Sequence, residues 1–317
     1  MKPLFLFFLF LLLTANVFAQ KKFVQKTDSI LYSRYNYFKY DTNYVKRPEQ
    51  KFILSLQPEV STIGLSLGTA NDVDIDLENR LNPKIGINFG FYGINVGYKI
   101  KTGNGGNESG EFNIRYYGRR FGVELDICAA ADLSGEMEVG DTLKRKIDKS
   151  GISLGMAQLS AYYVLNNKKF AYPAAFGKSF MQVKSCGSMF FGASYTGAKV
   201  LNDSLAVAVD VRCASAGIGY GYNFVTKKKK LLVHISALPM FVFAENNSLK
   251  QGDVYHKMKY SFPEVSISGR FAMTYNFGKR YLLGMDEIRY TTIVGEKKSL
   301  ETSFSRQLTR IYFGIRF

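Results

Sequence analysis

Apolar residues recur at every second position along much of this chain, and the phase of the recurrence flips across short glycine-bearing breaks. Ile85, Ile87, Phe89 and Phe91 hold odd positions, whereas Ile94, Val96, Tyr98 and Ile100 hold even ones, with the switch at Tyr92-Gly93. Period two belongs to a strand with one apolar face. A flip over two residues keeps both apolar faces on one side of a sheet only if the chain doubles back in a tight hairpin. Phe112, Ile114 and Tyr116 are followed by Gly118-Arg119-Arg120 and then by Phe121, Val123, Leu125 and Ile127 in the opposite phase. A further run, Val265 to Phe277, ends at Gly278-Lys279-Arg280 and reverses in the same way. The 29 glycines, 26 phenylalanines and 21 tyrosines against seven prolines suit β-structure with tight turns.

Connection lengths alternate as well. Short ones fall at 92–93, 118–120, 226–230 and 278–280; longer polar ones fall at 102–110, 131–150, 244–261 and 294–302. Short turns on one rim and long loops on the other describe an outer-membrane barrel, with the short turns periplasmic. Counting back from Phe317 places strands near 303–317, 281–293, 262–277, 231–243, 214–226, 187–199, 151–164, 120–130, 111–117, 94–101, 84–91 and within 52–80. The expectation is an all-β, antiparallel transmembrane β-barrel of about twelve strands, within a range of ten to fourteen, with both termini periplasmic. Two stretches fit this count poorly. Residues 166–185 stand where a short turn belongs, and pack either beneath the barrel or inside its lumen. Residues 200–213 form either an external loop or an extra strand through Val207, Val209 and Val211.

The N-terminus supplies the compartment. Lys2, the apolar run Leu4 to Leu13 and Val17-Phe18-Ala19 make up a secretory signal peptide with cleavage after Ala19. The domains are therefore read as signal peptide 1–19, a short periplasmic segment 20–51 and a barrel 52–317. No second long apolar run follows, which excludes a helical membrane protein. A mean hydropathy of −0.08 is compatible with a barrel, whose strands alternate. The net charge of +16 would suit nucleic acid in another compartment, but export excludes that partner.

The final strand points the same way. Ile311, Phe313, Ile315 and Phe317 share one face, and an aromatic C-terminal residue closing such a strand resembles the signal by which outer-membrane barrels are recognised for assembly. The chain has no tryptophan, so tyrosine has to serve the interfacial girdle.

With the apolar face on lipid, the other face lines the lumen. There the sequence puts Arg270, Arg306, Arg310 and Arg316, and also Arg289, set between Ile288 and Tyr290. Lumen arginines either select anions or pair with carboxylates in a filled barrel. Small barrels are usually filled by side chains, and pairing is the favoured reading. Asp72, Asp74, Asp76 and Glu78, alternating with Val73, Ile75 and Leu77, are the expected carboxylate stripe.

That stripe superficially resembles a calcium loop. Leu77 stands where the loop needs glycine and Pro83 where it needs glutamate, so no calcium site is expected. No metal ligand set and no cofactor fingerprint occurs. The histidines are His234, within a strand, and His256, in a long loop near Asp253. The second pairing has the residue types of a barrel hydrolase, but polar residues in a hydrophilic loop are more commonly just solvated. No catalytic residue is assigned. Lys227 to Lys230 read as a solvated turn. Cys128, Cys186 and Cys213 show no C-x-x-C spacing. They are read either as one disulfide and a free thiol or as small strand residues.

Three segments carry a family resemblance. These are Tyr40-Asp41-Thr42-Asn43-Tyr44, the run Lys169-Phe170-Ala171-Tyr172-Pro173-Ala174-Ala175-Phe176, and Gly217-Ile218-Gly219-Tyr220-Gly221-Tyr222-Asn223-Phe224. In this order they resemble the bacterial family called domain of unknown function 4421 over nearly the whole mature chain. The resemblance implies an envelope location and a barrel-like fold, and no biochemical activity.

The functional expectation is a non-enzymatic outer-membrane barrel, either a narrow pore for small solutes or a structural envelope component. Its expected partners are outer-membrane lipid, the barrel-assembly machinery and, for an open lumen, an anionic small solute. A lipid-modifying or proteolytic barrel enzyme and a soluble periplasmic β-sandwich binding module are the alternatives.

Overall fold

The structure, a computed structural model, describes residues 25–27, 29–30, 39–69, 73–79, 82–91, 94–101, 109–140, 143–148, 150–202, 207–252, 254–257, 263–296 and 300–317. Residues 1–19, expected to be a signal peptide, and Asp72 lie outside these residues. Chain contacts separate Met1–Tyr40 from Asp41–Phe317, and only the second unit is described below.

Twelve antiparallel strands close into a barrel. They are β1 (Phe52–Thr69), β2 (Val73–Glu78 continued by Asn82–Phe91), β3 (Ile94–Lys101), β4 (Ser109–Tyr117), β5 (Phe121–Ala130) and β6 (Ile152–Val164). The second half comprises β7 (Cys186–Asn202), β8 (Val207–Val225), β9 (Leu231–Glu245), β10 (Val265–Phe277), β11 (Tyr281–Glu296) and β12 (Leu300–Arg316). Each wall strand pairs with the next in sequence, and β12 closes on β1 from Leu300↔Thr69 to Arg316↔Ile53. Within β2, the break is bridged by Asn79, whose side-chain oxygen accepts the Ile63 N–H at 2.6 Å while its own N–H bonds the Ile63 carbonyl. Two prolines mark gaps in the ladder, as the missing donor requires. Pairing skips Gln57–Pro58 on the β12 side, and skips Leu238–Pro239 on the β8 side.

All twelve strands point large apolar side chains outward on the half nearest Phe52 and Phe317, among them Leu56, Phe89, Val96, Ile114, Phe191, Tyr220, Ile235 and Phe313. A continuous apolar belt of this size on a water-soluble monomer would be anomalous. On β1 it runs from Phe52 to Val60, about the nine to eleven residues that a spanning strand needs. The inward residues over the same span are Ile53 near the rim and then the polar Ser55, Gln57 and Glu59, all buried. This barrel has lipid outside and polar groups inside.

Above the belt the polarity of the two faces inverts. On β1 the outward residues become Thr62, Gly64 and Ser66, and the inward ones Ile63 and Leu65. The same change occurs on β7, where Lys199 points out and Ala198 and Val200 point in, and on β8, where Asp210 and Arg212 point out and Val209, Val211 and Cys213 point in. The backbone alternation is unbroken; what changes is the solvent outside, from lipid to water. The upper barrel accordingly holds an apolar core, centred on residues such as Leu133, Leu154, Val211, Val294 and Phe304.

Several expected loops are strands. The 131–150 segment forms a hairpin, Ser134–Val139 with Leu143–Ile147, whose first strand pairs with the upper part of β2 and takes its place in the wall above the short β3 and β4. The 244–261 segment contains Ser248–Gln251 and Val254–Lys257, which extend the wall beside the top of β8. Residues 200–202 and 207–213 are neither loop nor extra strand but the upper ends of β7 and β8, which pair up to Asn202↔Val207; residues 203–206 lie outside the described residues. Likewise β11 and β12 consume most of the expected 294–302 loop.

Candidate functional site

The connection from β6 to β7 does not stay at the rim. It carries a one-turn helix, α1 (Tyr172–Ala175), started by Pro173 in the first turn, where its missing N–H costs no helical bond. Phe170, Tyr172 and Phe176 are buried. Their rings meet the lumen side chains of Tyr117, Tyr162, Phe190 and His234, with centroids 4.7 to 6.3 Å apart across the cluster. Of the two placements open to residues 166–185, the lumen is the one observed. From below, a short strand, Val45–Lys46, pairs with Met181–Gln182 and holds the segment in place.

One polar chain pins this plug to the wall. The Asn223 amide nitrogen donates to the Ala171 carbonyl and to Gln182 Oε1, at 3.2 and 3.1 Å. Its oxygen therefore faces His234 Nδ1, at 2.7 Å, and accepts from it. That leaves Nε2 as the acceptor for the Ser236 hydroxyl at 2.9 Å. Nucleophile, base and orienting group stand in the order used by acyl-transfer enzymes. Here, however, Tyr172 OH lies 3.4 Å from Ser236 Oγ, and the rings of Tyr172 and Phe176 pack edge-on against the imidazole. The hydroxyl and the imidazole are both buried beneath these rings, and the chain of bonds ties the plug to the wall.

Above the plug lies a layer of buried charges. Asp126 Oδ1 accepts from Arg115 Nη2 at 2.6 Å and from Arg306 Nη1 at 2.9 Å. Glu124 pairs with Arg270, and Tyr290 OH donates to Glu124 at 2.9 Å while accepting from Arg270 at 2.9 Å. Asp286 takes Arg310 at 2.6 Å and Lys178 at 3.7 Å. Glu111 gathers Lys84, Lys99 and Arg306 within 3.5 Å, and Lys99 also reaches Glu59 at 2.6 Å. Lowest on its strand, Arg316 bonds Asn276 Oδ1 at 2.8 Å and the Lys178 carbonyl. A cavity of about 20 Å³ remains beside Gln57, Asn88, Asn113 and Arg115, room for about one water. Among the described residues no carboxylate, histidine and cysteine group is arranged to hold a metal ion.

The structure thus places Arg270, Arg306, Arg310 and Arg316 inside the lumen, each bound to protein groups. Arg289 is a correction: it points outward and is exposed, while Ile288 and Tyr290 on either side are the buried, inward residues. Asp74 and Asp76 are corrections too; they are exposed on the outer surface, and Leu77 faces in. All three lie above the apolar belt, where the apolar face is the inner one, so a rule that sends apolar residues to lipid inverts them. The carboxylates that do meet the lumen arginines are Glu111, Glu124, Asp126 and Asp286, while Glu59 meets Lys99. Glu124 and Asp126 were within reach of the sequence, as they alternate with Val123, Leu125 and Ile127. Ile311, Phe313, Ile315 and Phe317 are exposed on the lipid face. His256 is exposed on the Val254–Lys257 strand, and its neighbour Asp253 lies outside the described residues. The three cysteines are free.

The chain belongs to the family described as Domain of unknown function (DUF4421), whose model matches residues 39–317. No curated protein matches it in sequence. Among solved structures it is similar to the outer membrane protease OmpT from Escherichia coli, at 9% identity and a TM-score of 0.44, covering 85% of this chain and 97% of that one. An outer membrane channel from Pseudomonas putida F1 is similar at 11% identity and a TM-score of 0.37, covering 87% and 99%. The β domain of the Bordetella autotransporter BrkA is similar at 10% identity and a TM-score of 0.36, covering 83% and 100%.

Proposed function

We propose that this protein is a sealed, non-enzymatic barrel of the outer membrane that serves as a structural component of the cell envelope. The observation that carries the reading is the filling of the lumen at three successive levels. The aromatic plug blocks the periplasmic mouth, paired charges fill the middle, and an apolar core fills the part beyond the belt. The arginines that would select an anion have their guanidinium groups engaged with protein carboxylates, hydroxyls and carbonyls. A solute would have to displace all three layers. The outward Ile311, Phe313, Ile315 and Phe317 support recognition by the barrel-assembly machinery, and the belt supports outer-membrane lipid as the immediate partner. The Ser236 hydroxyl, hydrogen-bonded to the His234 imidazole, is covered by Tyr172.

The test is swelling of liposomes that contain the purified full chain, in isosmotic solutions of small sugars and of organic anions. Swelling no faster than in protein-free liposomes is expected. Entry of anions faster than sugars of equal size would replace this reading with an anion conduit.

A further inference from the structure

The two rims of the barrel differ in charge. On the rim that holds Phe52 and Phe317, the four described turns between wall strands carry Arg120, Lys168 with Lys169, Lys227 to Lys230, and Lys279 with Arg280; all nine are exposed, and none of these turns contains an acid. In the neighbouring N-terminal strap, Glu49 pairs with Lys279 at 3.3 Å, but the same strap adds exposed Lys46. The opposite rim is mixed. Asp74, Asp76, Glu78, Glu136 and Glu138 stand beside Lys144, Arg145 and Lys146, and Arg212 is paired with Asp210.

The aromatic residues of the belt fix the height of the basic rim. Phe121 follows Arg120 directly, Phe224 precedes Lys227 by three residues, and Phe277 and Tyr281 flank the Gly278-Lys279-Arg280 turn. All four rings are exposed on the lipid face. At about 3.3 Å per strand residue, the charges stand within roughly 10 Å of the edge of the apolar belt. That is the depth of the headgroup layer. Turns of this kind need only be polar, and glycine, asparagine or serine would close them. Clustered lysine and arginine there create a positive ring at the height of lipid phosphates.

We propose that this rim binds anionic phospholipid headgroups of the periplasmic leaflet, and so fixes the barrel's depth and its lipid surroundings on that side. The partner is a glycerophospholipid with net negative charge. Each Lys or Arg held at an anionic surface contributes roughly five-fold in association, screened by salt. The proposal does not depend on whether the lumen conducts.

The experiment uses the full chain in nanodiscs of phosphatidylcholine with one part in four phosphatidylglycerol, with lipids retained on the released protein measured by native mass spectrometry. The wild type is expected to retain phosphatidylglycerol at about three times its bulk share or more, falling toward the bulk share in 0.5 M salt. Replacing Lys227 to Lys230 with glutamine, together with K279Q and R280Q, should bring the share close to bulk. K144Q, R145Q and K146Q on the other rim should leave it unchanged. Heat-modified gel mobility verifies that each variant is folded. Retention at the bulk share by the wild type overturns the proposal, as does full retention by the rim variant. Binding of a soluble polyanion such as polyglutamate without phosphatidylglycerol enrichment overturns it in favour of a periplasmic polymer.

Discussion

Asp126 is the residue on which the buried charge layer depends most. Its single Oδ1 serves Arg115 and Arg306, and the three residues are 3%, 4% and 1% exposed. Asp126→Ala leaves two guanidinium groups in the lumen without their nearest carboxylate. Removing one partner of a buried ion pair costs about 3–5 kcal/mol, because the other charge stays uncompensated. Glu124 lies 3.7 Å from Arg115 and Glu111 lies 3.5 Å from Arg306, so part of that loss is recovered, and about 3 kcal/mol is the expected outcome. The double variant Asp126→Leu/Arg306→Met removes a charge of each sign and fills the space with apolar groups, so it should be more stable than the sum of its singles by about 1.5 kcal/mol or more. The assay is urea unfolding of the purified barrel in phospholipid micelles. Because the chain contains no tryptophan, it is followed by far-ultraviolet circular dichroism and by gel mobility. With a slope of roughly 3 kcal/mol per molar urea, the single variant's midpoint falls by about 1 M. A shift below about 0.3 M, with additive singles, would show the charges to be hydrated, and the filled-lumen argument would fail.

Other outcomes follow from the same geometry. Asp76→Asn and Arg289→Gln, both on the outer surface above the belt, should change stability by no more than about 0.5 kcal/mol in that titration; a loss comparable to that of Asp126→Ala would put them back in the lumen. In the folded protein a water-soluble maleimide should label Cys186 readily and Cys128 and Cys213 hardly at all, since the last two sit in the upper apolar core. Equal labelling of all three, read by mass spectrometry, would mean that the core admits water. Deleting Phe317 should lower the amount of folded barrel in the outer-membrane fraction several-fold while leaving refolding into detergent nearly unchanged. Unaltered membrane levels would remove the assembly role from the last strand.

How far the fold could be read from the chain depended on what lies outside the wall. Where lipid does, period-two alternation reports the face directly: Ile85 to Phe89, Val265 to Phe277 and Ile311 to Phe317 gave their strands, their reversals and their orientation. With the alternating connection lengths, such segments lead to about twelve strands within a range of ten to fourteen, and twelve are observed. Above the belt the same alternation persists with the opposite meaning, because water is outside and the apolar face turns inward. Val207, Val209 and Val211 look like the face of an extra strand, and the Asp74–Asp76 stripe looks like a lumen lining, until the height of each residue is known. Height is a tertiary quantity set by pairing, such as Gly68↔Asp74, and no local pattern encodes it. The plug was half legible: Tyr172-Pro173-Ala174-Ala175-Phe176 is too apolar for a turn, yet its anchor joins Gln182, Asn223, His234 and Ser236 from three separate elements. The acidic partners Glu124 and Asp126 were legible in phase, whereas Asp286 lies on the same strand as the misassigned Arg289 and needed the register of β11 against β12.

Planar-bilayer conductance of the purified full chain tests the central claim, a lumen closed by its own side chains, most directly. Across applied voltages of either sign the account predicts no step-like current above that of the protein-free bilayer, and none after Tyr172→Ala loosens the plug, because the charge layer and the apolar core still fill the barrel. Discrete, voltage-independent current steps from the wild type would contradict it and establish an open pore.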